Sequence, residues 1–469
     1  MNKSVALLKD SRWARWAVLL FLSLVMFASY FFDDQFTTIG HIFKNPEILD
    51  LSWSSADYGL YGGAYSLLCV WGGLIVCGML LDKWGVRITG TLFVLLMVGG
   101  AAIVMYGISS AFHDSALYHF MARHFAKPSL ALAYAGCSIF GLGSEIVGVG
   151  VTRSIAKWFK GKEMALAMGL QLSLARLGTA TALIVVPRIV NLDLSYIPFA
   201  ETSKPAIVGF TLLLCGLFVW SIFLAFDRKL DKQAAAVEAL SNEKSAEADK
   251  FKFSDLFKVL GNKHFILVAL LCVFFYACII SFRRFATSII IPRFGIESEL
   301  ASLMVALIPF TTMIFTPIFG LLVDFKGKAT KWMILGSVLV LLSHLIIGFA
   351  PEGVPVFGYL GIAILGIGYS LVPAAMWPSV PKIIPDKNLG TAYSLIYWIQ
   401  NMGMLLVPIF VGRIIENNIN DELRGALHSE ILFIGLALVA IVVSVMLNRS
   451  SNSHPELKLD VPNKVKKAG

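Results

Sequence analysis

Charge is scarce in this chain. Of its 469 residues only 15% are Asp, Glu, Lys or Arg, whereas 57% are hydrophobic and the mean hydropathy is +0.76. That excludes a soluble domain of ordinary composition. The formal charge of +9 comes from basic residues scattered through short loops, not gathered on one polar face, so a nucleic-acid surface is excluded too. Cysteine offers no chemistry: Cys69, Cys77, Cys137, Cys215, Cys272 and Cys278 all fall inside apolar runs, without a Cys-x-x-Cys pair or metal-ligand spacing. No P-loop, nucleophile motif or metal-ligand cluster occurs, which argues against a nucleotide-driven pump or an enzyme, and no cofactor or metal is expected. The eight histidines are scattered, and His344, inside an apolar run, is the one candidate proton carrier among them.

What is present is apolar length. About 20 apolar residues cross the hydrocarbon of a bilayer, and twelve runs meet that requirement: 14–40, 56–81, 86–111, 130–158, 163–190, 204–227, 264–291, 298–323, 329–350, 355–382, 388–414 and 427–447. Met1 to Arg15 is short and basic with no small-residue cleavage site after it, so the first run reads as a retained helix. Lys and Arg alternate heavy and light between successive loops, with Lys83, Arg87, Lys157, Lys160, Lys162, Lys326, Lys328 and Lys331 on the heavy side. Both termini are therefore expected in the cytoplasm.

The longest polar interruption divides the chain six and six. The expected organisation is an N-terminal bundle over 1–226, a charged, Ala-rich, partly helical cytoplasmic linker over 227–263, a C-terminal bundle over 264–448 and a disordered tail over 449–469. The fold class is all-α, with twelve transmembrane helices in two pseudo-symmetric bundles.

Ionisable residues inside the spans are the functional signal. A charge at a helix centre costs roughly 2.5 to 3.5 kcal/mol on insertion scales and by default faces a wet cavity. Glu145 in span four and Arg176 in span five sit near the midpoints of antiparallel neighbours, hence at similar depth. Two readings are open: a structural ion pair, in which Arg153 is a competing partner for Glu145, or two charges held apart to receive a zwitterion. Asp33 and Asp34 in span one, and Arg283 and Arg284 in span seven, each come about 27 to 30 Å along their helices at 1.5 Å per residue. They are expected near the outer face, as a gate closed by Asp–Arg contacts or as interfacial charges that snorkel to water. Arg283 and Arg284 are also candidates to hold a substrate carboxylate. In span eleven, Tyr393, Tyr397, Trp398, Gln400 and Asn401 are either cavity-lining or packing residues.

A repeat marks the two halves. Gly78, Asp82, Lys83, Gly85 and Arg87 follow span two, and Gly320, Asp324, Lys326, Gly327 and Lys328 follow span eight; Asp82 matches Asp324 and Gly85 matches Gly327, each 242 positions on. These loops resemble the signature of the major facilitator superfamily, in which the acid and its basic neighbours are thought to latch cytoplasmic helix ends. The resemblance makes Asp82, Arg87 and Asp324 gating candidates, although Phe325 stands where a basic residue is usual.

Three further stretches are more specific: Phe140-Gly141-Leu142-Gly143-Ser144-Glu145, then Trp158 to Glu163 with Gln171 to Gly178, then Gly368 to Leu371, Ala375 to Pro378, Leu389 to Tyr393 and Ile399 to Gly403. They are similar to spans four, five, ten and eleven of the lysosomal dipeptide transporters, the family of major facilitator superfamily domain-containing protein 1. That resemblance implies a dipeptide cargo, its amino end facing Glu145 and its carboxylate facing Arg176.

The expectation is an alternating-access carrier of small zwitterions, dipeptides in the first place, in contact with the lipid bilayer and with proton coupling left open. An organic-anion or proton-coupled carboxylate carrier using Arg176 with Arg283 or Arg284 is the alternative within transport. A non-transporting sensor or scaffold is the alternative outside it. No Asn-x-Ser/Thr site falls in an outward loop and no acid precedes Leu7-Leu8, so a bacterial inner membrane is expected over a lysosome.

Overall fold

The computed structural model describes residues 7–40, 43–45, 49–50, 52–159, 163–190, 203–241, 253–385 and 388–462. Among the described residues, twelve helices are long and apolar enough to cross a membrane: Arg12–Asp34, Ser55–Leu81, Lys83–Gly107, Pro128–Phe159, Ala167–Val190, Lys204–Ala236, Lys263–Phe294, Ser298–Lys326, Ala329–Phe349, Pro355–Ile383, Thr391–Asn417 and Glu422–Ser453. They are called spans one to twelve. The described strand content is a two-residue ladder, Lys44–Asn45 against Leu49–Asp50, between spans one and two.

Local sequence chemistry sets the helix ends. Ser11, Ser54 and Asn262 accept backbone N–H groups with their side chains and so start spans one, two and seven. Gly295, at φ +62°, ends span seven, and Gly327, at φ +64°, ends span eight, both in a region where a side chain is strained.

Packing repeats between the halves. Span one lies against five and six as span seven lies against eleven and twelve; three packs on four and six as nine packs on ten and twelve; two packs on four as eight packs on ten. The two bundles meet where two packs on eleven and five on eight, which exchange with one another when the halves are exchanged. The outer halves of spans two and eleven come close because both carry glycine. A β-carbon on Gly59 would lie 2.5 Å from the Pro408 carbonyl oxygen, one on Gly63 2.5 Å from that of Leu405, and one on Gly412 2.4 Å from that of Ser55.

The helix of span six continues to Ser241, into the stretch read as a partly helical linker, and a short helix, Phe253–Leu260, precedes span seven. One expectation changes. The tail expected to be disordered is ordered as far as it is described. Span twelve runs to Ser453, and Asp460 folds back on the start of span nine, accepting from the Thr330 amide (2.9 Å) and hydroxyl and from the Ser451 hydroxyl (3.1 Å). Its carbonyl accepts from the Lys328 amide (2.8 Å), and Lys382 Nζ donates to the Val461 carbonyl (3.1 Å). The tail has no apolar periodicity, yet a carboxylate serving a helix N-terminus, backbone contacts and the buried Leu459 side chain hold it.

Candidate functional site

Glu145 projects from span four at a depth where span two brings Tyr65. The Tyr65 hydroxyl lies 3.2 Å from Glu145 Oε1 and 3.1 Å from Ser144 Oγ, and Ser144 is in turn 2.6 Å from Ser29 Oγ on span one. The acid is thus held by a neutral donor, and it is incompletely buried. Arg176, also incompletely buried, leans across to the other bundle: its Nη1 is 3.5 Å from Thr316 Oγ1 on span eight, and its Cζ lies 5.3 Å over the Tyr369 ring of span ten. Among the described residues, no ion pair joins Glu145 to Arg176. Each charge has a neutral partner and stays available for an ionic one.

Aromatic side chains sit among these charges. Tyr30 on span one is within electrostatic reach of Glu145, Arg176 and Arg283 together. Tyr276 packs edge-on against Tyr369 at 5.9 Å and accepts from the Trp377 indole at 3.1 Å; Trp377 stacks on Tyr397 at 5.2 Å. Tyr397 itself feels the Glu145 charge. Tyr393 donates to the Trp377 carbonyl at 3.5 Å.

Gln400 and Asn401 are both buried, and Asn401 Oδ1 has no hydrogen-bond partner among the described residues. Gln400 accepts from the Cys272 thiol and points its amide at Met404, while Asn401 is fully buried and donates to the Tyr397 carbonyl. Trp398 donates across the bundle boundary to the Val70 carbonyl at 2.7 Å.

The outer charges pair in register. Arg284 Nη2 is 2.7 Å from Asp33 Oδ1, and Arg283 Nη2 is 2.8 Å from Asp34 Oδ1, whose second oxygen accepts from Thr179 at 2.7 Å. Arg188–Glu299 at 2.9 Å and the Ser55 amide on Glu416 at 3.0 Å add two further links across the boundary at the same end. The bundles are joined at their outer ends.

Of the signature residues, Arg87 forms its ion pairs within its own half. Arg87 reaches Asp231 (3.0 Å) and Asp227 (3.8 Å) beside Lys157 (2.8 Å to Asp227), all in the first bundle. Asp324 acts on Lys382 in the second. The side chain of Asp82 lies outside the described residues.

Similarity to known proteins decides the family. The model of the Major Facilitator Superfamily matches residues 11–292 and 273–467. The chain belongs to that superfamily. It is 28% identical over 442 residues to the lysosomal dipeptide transporter MFSD1 of Danio rerio, covering 92% of this chain and 86% of that protein. To the Homo sapiens protein of the same name it is 27% identical over 468 residues, covering 96% and 90%. Among solved structures, a D-xylose-proton symporter superposes with a TM-score of 0.67 at 12% identity, covering 93% of this chain and 97% of that one, a likeness of fold. The protein is therefore an integral membrane transporter of the major facilitator superfamily and not an enzyme. The relatives bear the names of lysosomal proteins, which removes support from the expectation of a bacterial inner membrane.

Sequence reasoning missed Tyr65, Tyr30, Thr316 and the Tyr276–Tyr369–Trp377 cluster. A signal was there for Tyr30, which precedes Asp33 and Asp34 by three and four residues and so shares their helix face. Tyr65 and Thr316 carry no such signal, because only the packing of spans two and eight brings them to the charges.

Proposed function

We propose that this transporter carries dipeptides by alternating access, with Glu145 receiving the amino group and Arg176 the carboxylate. The observation that supports this most is that the two central charges both come within electrostatic reach of Tyr30, are not bonded to each other among the described residues, and have neutral partners, a Tyr65 hydroxyl and a Thr316 hydroxyl. A zwitterion neutralises both at once, whereas a simple anion leaves Glu145 opposed. The names of the relatives agree with the same cargo. The outer-end ion pairs of Asp33, Asp34, Arg283 and Arg284 act as the gate that closes behind the cargo, and Tyr393 and Tyr397 line its path beside Trp377. With Arg283 and Arg284 engaged by aspartates, the organic-anion alternative loses its second cation.

The deciding experiment is counterflow in reconstituted vesicles with free and N-acetylated forms of the same dipeptide. Uptake of the free form, with loss on acetylation and on Glu145→Gln, is expected. Equal uptake of both forms would favour the anion carrier, and binding without counterflow would favour a sensor or scaffold. A thermal-shift screen of dipeptides, amino acids and carboxylates complements it, since a ligand of the folded state raises apparent stability.

A further inference from the structure

Three spans of the C-terminal bundle converge on a polar cluster that the cargo site does not use. His344 on span nine and Glu430 on span twelve are both fully buried, with Nδ1 2.8 Å from Oε2. On the far side of the imidazole, Nε2 is 3.3 Å from the Cys278 thiol of span seven, and that thiol is also 3.5 Å from the Phe433 carbonyl of span twelve. Phe282 and Phe433 close over the ring at 5.0 and 5.2 Å. Glu430 Oε1 has no hydrogen-bond partner among the described residues. A carboxylate buried in hydrocarbon with one oxygen unsatisfied is costly, and an apolar residue would serve packing better. Such a group marks a function by default.

The surrounding charges are accounted for element by element. Span seven contributes Cys278 and Arg293, which act on the pair, and Arg293 donates to the Ile347 and Ala350 carbonyls and to Glu352 at the end of span nine. Spans nine and twelve contribute the pair itself. Span ten, packed on span nine, brings the Gly361 carbonyl, which is taken up by the Ser343 hydroxyl at 2.7 Å.

We infer that His344 and Glu430 form a proton-binding site that grips span seven beside the gate arginines, and that its proton occupancy sets how firmly the outer gate is held. With a neutral imidazole, Nδ1–H donates to Glu430, Nε2 accepts the Cys278 S–H, and the pair carries one negative charge. Uptake of one proton places N–H on Nε2. That group donates to the Cys278 sulfur, the thiol proton turns to the Phe433 carbonyl, and the pair becomes neutral. Cys278 has an acceptor within reach in either state, so the change needs only a rotation about its Cβ–Sγ bond. In the protonated state a continuous run of donors ties spans nine, seven and twelve together. Phe282 follows Cys278 by one turn and directly precedes Arg283 and Arg284, so that tie holds the arginines against Asp33 and Asp34. Acid therefore favours the closed outer gate.

The inference rests on the outer gate proposed above, while its test needs no substrate and so stands apart from the dipeptide assignment. Spin labels are placed at Leu117→Cys and Ile419→Cys, on the outer ends of the two bundles, with the exposed Cys215 replaced by Ser. Distances between the labels are measured from about pH 10.5 to about pH 5.5, a range that extends well to either side of ordinary histidine titration. A growing short-distance population on acidification is expected. His344→Asn keeps an N–H toward Glu430 without a second titrating nitrogen, and it should abolish the response. A parent protein with no response, or a His344→Asn variant with the full response, would overturn the inference. Should that variant fail to fold, Cys278→Ala gives a second reading, because it leaves the pair intact and removes the switch. The response must shrink there, and an undiminished one rejects the linkage.

Discussion

Arg284 of span seven and Asp33 of span one meet at 2.7 Å across the boundary between the bundles, although 251 positions separate them in the chain. Both are largely withdrawn from solvent, at 3% and 19% side-chain exposure. Removing one partner of such a pair strands the other charge at a cost of about 3 to 5 kcal/mol.

Asp33→Asn should therefore disfavour the outer-closed conformation, in which Arg284 has no route to water. Since each 1.4 kcal/mol is about a tenfold ratio, even part of that cost should move the resting population toward outward-open by tenfold or more, read as a longer distance between labels on the outer ends. Exchanging the two charges, Asp33→Arg with Arg284→Asp, should restore part of the closed population.

Arg176→Lys keeps the charge and loses the planar group that lies over Tyr369 and addresses Thr316. A lysine there is a point charge without the fork that matches a carboxylate. Dipeptide affinity should fall by about tenfold or more, measured by competition binding, while the protein folds normally. Unchanged affinity would remove Arg176 from the site.

Gly63→Ala places a methyl group against the Leu405 backbone where no flexible side chain can yield. Spans two and eleven must separate at their outer ends, so the variant should populate the outward-open state and lose turnover more than binding. Normal counterflow at wild-type rates would show that this close approach is not part of the closed gate.

Asp460→Asn weakens the clip on span nine. Side-chain caps at helix starts are worth about 0.5 to 2 kcal/mol, so a lower melting temperature is expected, with cargo affinity unchanged because Thr330 and Asp460 lie away from Glu145 and Arg176. Deletion after Ser453 should reproduce the effect. An unaltered melting curve in both would count against the clip.

The twelve helices were legible because crossing a bilayer requires long apolar runs, and the twinned loops around Asp82 and Asp324 announced the duplication. That Asp33 and Asp34 could meet Arg283 and Arg284 was legible by counting residues along matching helices. Rotation about each helix axis was not. That is why Gln400 and Asn401, polar and well placed along span eleven, proved to be packed against Cys272, Met404 and the Tyr397 carbonyl. Glu430 escaped notice because its partner His344 lies 86 positions away and Cys278, on the far side of that imidazole, 152, and nothing local marks their convergence. The order of the tail was hidden likewise, since it depends on distant contacts, Asp460 with the Thr330 amide of span nine and Leu459 with the core.

Span two is interrupted at Cys69–Gly73, where Gly72 takes φ +93°, and the neighbouring Val70 carbonyl accepts the Trp398 indole of the opposite half. A side chain of one half thus mends the broken backbone of the other. When the halves swing apart on that side the indole leaves, and the bared oxygen must find water or straighten its helix. The joint is therefore rigid at rest and pliant in motion, without any residue changing its charge.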